Sequence, residues 1–245
     1  AYVEAAGWFE QAIDQLAHLP DTRENIETAI DLRFELRNVL QPLGDRKRIA
    51  ERLAEAERLA ERIDDKSRRG WVQSYLTEQF WMLGRNRDAA IAGERAIAIA
   101  EELSDLALRV VTNLPLGLAY HTRGEYRRAI QYFDWIARRL SGDLAQQRFG
   151  MFVLPSSFAL SFIGWSHAEL GEFDLASEAG GQALKIAEEA SHPFSCGYAY
   201  LGLGVAALRR GDVESAHESF GRALAAGAFA DSPVGYSFVA LHMGY

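Results

Sequence analysis

The sequence predicts an all-α fold, a stack of antiparallel helix pairs, and three observations carry that prediction. The first is self-similarity at a fixed period, the signature of a repeat architecture. A glycine followed five residues later by a small residue and then an apolar helical pattern recurs four times. The copies are GRNRDAAIAGERAI from Gly84, GEYRRAIQYFDWIA from Gly124, GEFDLASEAGGQAL from Gly171 and GDVESAHESFGRAL from Gly211. The glycines lie 40, 47 and 40 residues apart, and a weaker copy, GDRKRIAERLAEAE, begins at Gly44. The second is that another apolar helical stretch stands ahead of each glycine, LTEQFWML, LGLAYHTR, IGWSHAEL and LGLGVAAL. Each unit therefore reads helix, tight turn, helix. The third is composition: 49% hydrophobic and 24% charged residues suit amphipathic helices and exclude a disordered chain. No apolar run approaches the ~20 residues a membrane-spanning helix needs.

These residues resemble the tetratricopeptide repeat, a helix pair with a 34-residue period. The resemblance places Leu-Gly at positions 7 and 8, an aromatic at 11, Gly at 15, Ala at 20, Phe at 24 and Ala at 27. The third full unit supplies Leu116, Gly117, Tyr120, Gly124, Tyr126, Ala129 and Phe133. The fifth supplies Tyr200, Leu203, Gly204, Gly211, Ala216, Phe220, Ala223 and Leu224. Full repeats are expected over 30–69, 70–109, 110–156, 157–196 and 197–236. Residues 1–29 read as the second helix of a truncated repeat with its connection, and 237–245 as the start of another. The whole of 1–245 is then expected to be a single α-α superhelix, cut through repeats at both ends and so a segment of a longer protein. In the first full unit Arg37 stands where Gly is expected and Ile49 where Ala is expected.

The small residues let two helices approach closely, and stability accumulates through neighbouring units because a lone pair cannot cover its apolar face. A 40-residue period exceeds 34 by six. Shared equally, the excess lengthens each helix by ~4.5 Å at ~1.5 Å per residue. Pro193 and Pro233, after His192 and Ser232, fall four residues before a unit start, where a missing N–H is tolerated in the first helical turn. Gly142 and Asp143 close the helix over 134–140. The seven extra residues that follow are expected to extend the next helix, with Pro155 kinking or restarting it.

Little in the sequence points to chemistry. A formal charge of −8, from 34 acidic and 26 basic residues, opposes general binding of a phosphate backbone. The single cysteine, Cys196, makes no internal disulfide and points to a reducing cytoplasm. GLGVAA, with Gly202, Gly204 and Ala207, satisfies a GxGxxA dinucleotide pattern, but no strand precedes it. Gly180-Gly181 falls inside a helix, where close packing explains it. The six histidines lack the i, i+4 spacing of a zinc site, and His167, at the position of Tyr120, is expected to pack in the core. Glu51, Glu55, Glu57, Glu188 and Glu189 read as solvated faces and i, i+4 pairs. The Arg-Arg doublets at 68, 127, 138 and 209 read as exposed surface, with recognition of an acidic partner as the alternative. No catalytic residue, metal or cofactor is expected.

The resemblance also indicates where a partner would bind. In tetratricopeptide proteins positions 2, 5, 9 and 12 of the first helix line a concave groove, and that spacing shares one helical face. Here the stripe carries Asp31, Phe34, Asn38 and Gln41; Trp71, Ser74, Glu78 and Trp81; and Val111, Leu114, Leu118 and His121. It continues with Phe158, Ser161 and Trp165, then Tyr198, Leu201 and Val205, then Phe238. Two readings stand side by side: these aromatics bind an apolar helix or extended peptide, or they pack against adjacent units.

Three longer stretches carry a more specific likeness: LRFELRNVLQPLGD (32–45), QQRFGMFVLPSSFALSFIGWSHAELGEF (146–173) and ASHPFSCGYAYLGLGVAALRRGD (190–212). They resemble the C-terminal helical region of bacterial multidomain proteins that join a class III adenylate or guanylate cyclase domain to a signal-transduction ATPase. The resemblance implies a non-catalytic, protein-binding regulatory segment of a cytoplasmic signalling protein. Its partner would be a peptide, a helix or another domain of the same chain, with no nucleic acid or membrane involved, and oligomers remain open. The alternative is a small-molecule sensor in a signal-transduction ATPase or transcriptional regulator.

Overall fold

The computed structural model describes residues 2–226 and 233–244 and shows twelve α-helices, with no strand among the described residues. Ser232 and residues 227–231 of the expected fifth repeat lie outside them. The chain divides into two compact units, Ala1–Pro115 and Leu116–Tyr245.

The first unit holds α1 (Tyr2–Leu16), α2 (Arg23–Leu40), α3 (Arg46–Arg62), α4 (Lys66–Met82) and α5 (Asn86–Leu103), with the start of α6 (Leu106–Thr122). The second holds the end of α6, α7 (Tyr126–Arg139), α8 (Pro155–Glu169), α9 (Phe173–Glu189), α10 (Pro193–Arg210), α11 (Val213–Ala225) and α12 (Pro233–Met243). Sequence-adjacent helices pack against one another: α2 on α3 and α4 on α5 in the first unit, α8 on α9 and α10 on α11 in the second.

The repeating connections follow from local chemistry. Within each pair the turn is made by a glycine with positive φ, for example Gly124 at 75° and Gly211 at 89°, a conformation that lets the chain leave one helix and enter the next at little steric cost. At three of the connections between pairs the left-handed residue is not glycine. Asp64, Ser104 and Ser191 adopt φ near 50°, and each is followed by the residue that caps the next helix. Asp65 Oδ1 accepts from Arg68 N, Asp105 Oδ1 from Leu108 N and His192 Nδ1 from Ser195 N, satisfying amides that the helix itself leaves without partners.

Because capping happens there, α4, α6 and α10 begin four residues ahead of the expected unit starts at 70, 110 and 197. First helices of 17 or 18 residues result, against second helices α3, α5 and α9 of 17 or 18. Pro193 is the first residue of α10, as its missing N–H predicts.

The insertion corrects one expectation. Its extra residues do not extend the following helix: α8 has 15 residues and starts at Pro155, and residues 140–154 form an irregular connection with a 3-10 turn at Gly142–Leu144. The reason is polar anchoring outside any helix. Ser156 Oγ donates to Ala145 O, and Leu154 N donates to Ser195 Oγ at 3.0 Å, while Val153 and Leu154 are buried. Proline at 155, with φ fixed and no N–H, then suits the first turn.

Helix pairs close over small residues. A Cβ built on Gly204 would lie 2.5 Å from Phe220 Cε1, and one on Gly117 would lie 2.6 Å from Phe133 Cε1, so each phenylalanine ring lies flat over bare backbone. A Cβ on Gly164 would lie 2.9 Å from Ala176 O, and one on Gly202 2.9 Å from Ser161 O. Helix packing thus accounts for the glycines of GLGVAA. Gly180 likewise admits Leu203, whereas Gly181 has open space beside it.

Candidate functional site: the first-helix faces

In the first unit the predicted stripe joins aromatic rings to a tied polar group. Phe34 is buried and meets Tyr75 edge-on at 5.1 Å, and Trp71 meets the same tyrosine at 5.7 Å. Arg37, at the position where the pattern expects glycine, is buried with its guanidinium 4.5 Å above the Tyr75 ring. One of its nitrogens donates to Asn38 Oδ1 at 2.9 Å and another to Glu78 Oε2. Gln41 Nε2 donates to the second Glu78 oxygen at 2.6 Å. Burial lowers the Arg37 pKa to about 10, which still leaves the group charged at neutral pH.

Around this knot Asn38 is exposed, Trp71, Glu78 and Trp81 are half-buried, and Ser74 and Leu114 are buried. Asp31 holds Arg68 through two oxygens at 2.9 and 2.7 Å, and Val111 is half-buried. The hydroxyl of Ser74 has no hydrogen-bond partner among the described residues.

In the second unit the stripe is aromatic and closely packed. Phe162 is 3% exposed and contacts Phe158 at 4.8 Å, Trp165 at 5.4 Å, His121 at 5.5 Å and Phe133 at 5.7 Å. Tyr198 meets Phe158 at 4.8 Å. Trp165 is flanked by His121 and His242, each at 5.2 Å, and by Phe238 at 6.0 Å. Leu118, Phe158, Ser161, Trp165, Tyr198, Leu201 and Val205 are all buried within the protein, whereas His121 and Phe238 are half-buried. Internal packing therefore occupies most of the second-unit stripe.

The polar atoms at its edge are also held. Trp165 Nε1 donates to Glu169, which receives Arg209 through both carboxylate oxygens at 3.0 and 2.9 Å. Those bonds hold the Glu169 carboxyl below its ordinary range against the opposing effect of burial.

His121 supplies a titration test. Its Nδ1 lies 2.9 Å from Ser166 Oγ, and burial among rings lowers its pKa to about 4, with Glu169 opposing the shift. An unfolded histidine titrates near ~6.5, so between the two values the unfolded chain holds a proton that the folded one lacks. This contribution to stability is complete above about pH 6.5 and is lost progressively as the pH falls toward 4. The loss is roughly 2 kcal/mol, allowing for the part of the ring that water still reaches. Unfolding titrations from pH 7 to 4 check it: His121→Phe is expected to flatten the slope, and an unchanged slope refutes the assignment.

Other predicted features resolve into internal pairing. His167 is not a simple core residue: its Nδ1 lies 2.6 Å from Glu172, a carboxylate shared with Arg127 that stays below its ordinary pKa for that reason. Glu55 binds Arg33 and Arg52, Glu57 accepts from Gln73, and Glu51 faces Lys47. The first arginine of each doublet is paired: Arg68 with Asp31, Arg127 with Glu172, Arg138 with Asp134 and Arg209 with Glu169. Cys196 is half-buried, and burial pushes its thiol pKa up, away from nucleophilic use.

Sequence reasoning missed Tyr75 and Phe162, the rings at the centre of each cluster. The signal was present as aromatic pairs at i, i+4, Trp71/Tyr75 and Phe158/Phe162, which share a helix face.

With this geometry described, similarity to solved structures settles the architecture. The fold is that of tetratricopeptide-like repeats. BtubC from P. vanneervenii superposes with a TM-score of 0.72 at 17% identity, over 95% of this chain and 93% of that one. A Rap protein complexed with Competence and Sporulation Factor gives 0.70 at 17% identity, over 94% and 61%. A signal-transduction ATPase with numerous domains and a tetratricopeptide repeat sensor, from Pyrococcus horikoshii, gives 0.65 at 14% identity, over 90% of this chain and 31% of that one. Neither a protein-family model nor a curated protein matches the sequence.

Proposed function

We propose that this chain is a non-catalytic, regulatory binding segment of a larger cytoplasmic signalling protein of the cyclase/ATPase kind. It takes a peptide, a helix or another domain of the same protein on the first-helix face of its first unit. The observation that supports this is the contrast between the two stripes. Around Trp71, Glu78, Trp81 and Asn38, rings and polar groups keep access to solvent while Arg37 and Gln41 fix the carboxylate in place. The corresponding rings of the second unit are spent on one another. A preorganised mixture of half-buried aromatics and oriented polar groups suits a peptide, because little ordering cost remains to be met on binding.

The test is a peptide-display selection against the whole chain, followed by anisotropy titrations of the selected peptides. Trp71→Ala and Asn38→Ala are expected to weaken binding at least about tenfold while circular dichroism still shows the helical fold. Peptides that bind both variants as tightly as the parent chain overturn the proposal. The sensor named for the Pyrococcus horikoshii protein supplies a second reading, in which the face admits a small molecule. Selection that yields no peptide, together with a metabolite that protects Trp71 from solvent quenching, favours that reading instead.

A further inference from the structure

The connection over residues 140–154 is rigidly held at its end, by the Ser156 and Leu154 hydrogen bonds, but presents an unusual tip. Met151 N donates to Arg148 O at 2.8 Å, closing a turn whose two central residues, Phe149 and Gly150, have φ of 51° and 77°. Glycine adopts that conformation freely and phenylalanine does not. Outliers of this kind persist where surrounding structure enforces them, and functional positions are where they concentrate.

Just beyond the turn Phe152 is 65% exposed, its ring edge-on to Phe194 at 5.2 Å, and Phe194 meets Tyr198 at 5.6 Å. Arg148 is exposed and lies four residues before Phe152 in the same connection, and its charge, after burial, opposes protonation of His192, two residues before Phe194. Unlike the first arginine of each doublet, Arg148 takes part in no ion pair among the described residues.

We propose that the segment Arg148–Phe152, with Phe194, docks an acidic, apolar peptide segment: a carboxylate against Arg148 and a neighbouring large apolar side chain against Phe152. Charge complementarity selects this occupant. A guanidinium without an ion pair among the described residues, in the same connection as an exposed ring, is satisfied by a carboxylate, whereas a basic segment would be repelled. A nucleic acid is disfavoured because backbone binding draws on several cations, and residues 141–154 supply a single one, Arg148. This surface is separate from the first-unit face and does not depend on it.

The test uses the whole chain and two labelled peptides of equal length, one alternating Asp with Leu, the other Lys with Leu, read by fluorescence anisotropy. The acidic peptide is expected to bind and the basic one not. Phe152→Ala and Arg148→Glu should each weaken the acidic peptide at least about tenfold without changing the melting temperature, both side chains being exposed. Trp71→Ala should leave that binding unchanged. Equal binding of the two peptides, absence of acidic-peptide binding, retention of binding by both variants, or preference for a single-stranded oligonucleotide would each overturn the proposal.

Discussion

Phe162→Ala is expected to destabilise the second unit by about 4 kcal/mol, the range for removing a large buried aromatic side chain. The effect should be that large because this ring touches five others, on α6, α7, α8 and α10, and is 3% exposed. No neighbour can swing in to refill the space. Phe158 is held by Tyr198, and Trp165 by its bond to Glu169 and by the two flanking histidines. Urea unfolding followed by near-ultraviolet circular dichroism measures the loss. Amide exchange should show the weakening concentrated in α7, α8 and α10, since repeat stability is carried by nearest-neighbour interfaces. A cost below about 1 kcal/mol would mean that the aromatic stack is not the core of this unit.

Glu78→Ala is expected to cost about 3 kcal/mol, the lower end for stranding one partner of a buried pair. The buried Arg37 guanidinium would lose its carboxylate and keep only Asn38 and the Tyr75 face. Glu78 retains 28% side-chain exposure, so water replaces part of the interaction. The double change Arg37→Met/Glu78→Leu removes both charges and should recover most of the loss, because replacing a buried pair with apolar side chains is commonly neutral or favourable. Chemical denaturation of the two single variants and the double variant completes the cycle. If the double variant is as unstable as Glu78→Ala alone, packing of the arginine stem, and not its charge, holds this part of α2 to α4.

The elements that were legible in the sequence are those fixed by short-range chemistry. Gly124 and Gly211 mark turns because only a residue without Cβ enters the left-handed region cheaply. Gly117 with Phe133, and Gly204 with Phe220, announce paired helices because ring and bare backbone recur at one spacing. The insertion was misjudged for the opposite reason. Whether residues 140–154 continue a helix depends on Ser195, some forty positions away, whose hydroxyl accepts the Leu154 amide. The stripe residues, grouped by spacing alone, differ in state between the units. Trp71 and Phe158 both hold the second position of their repeats, but one is half-buried and the other is closed in by Phe162 and Tyr198.

The sequence by itself therefore determined the helix pairs and their turns, because period, glycine placement and capping act within a few residues. Only the tertiary structure decided which faces are used up by internal packing. It also brought Arg37 to Glu78 across 41 positions and left Arg148, among the described residues, without an ion pair in the connection that exposes Phe152. Partner choice among side chains is set by which helices meet. That is a property of the packed stack and is not encoded in any one repeat.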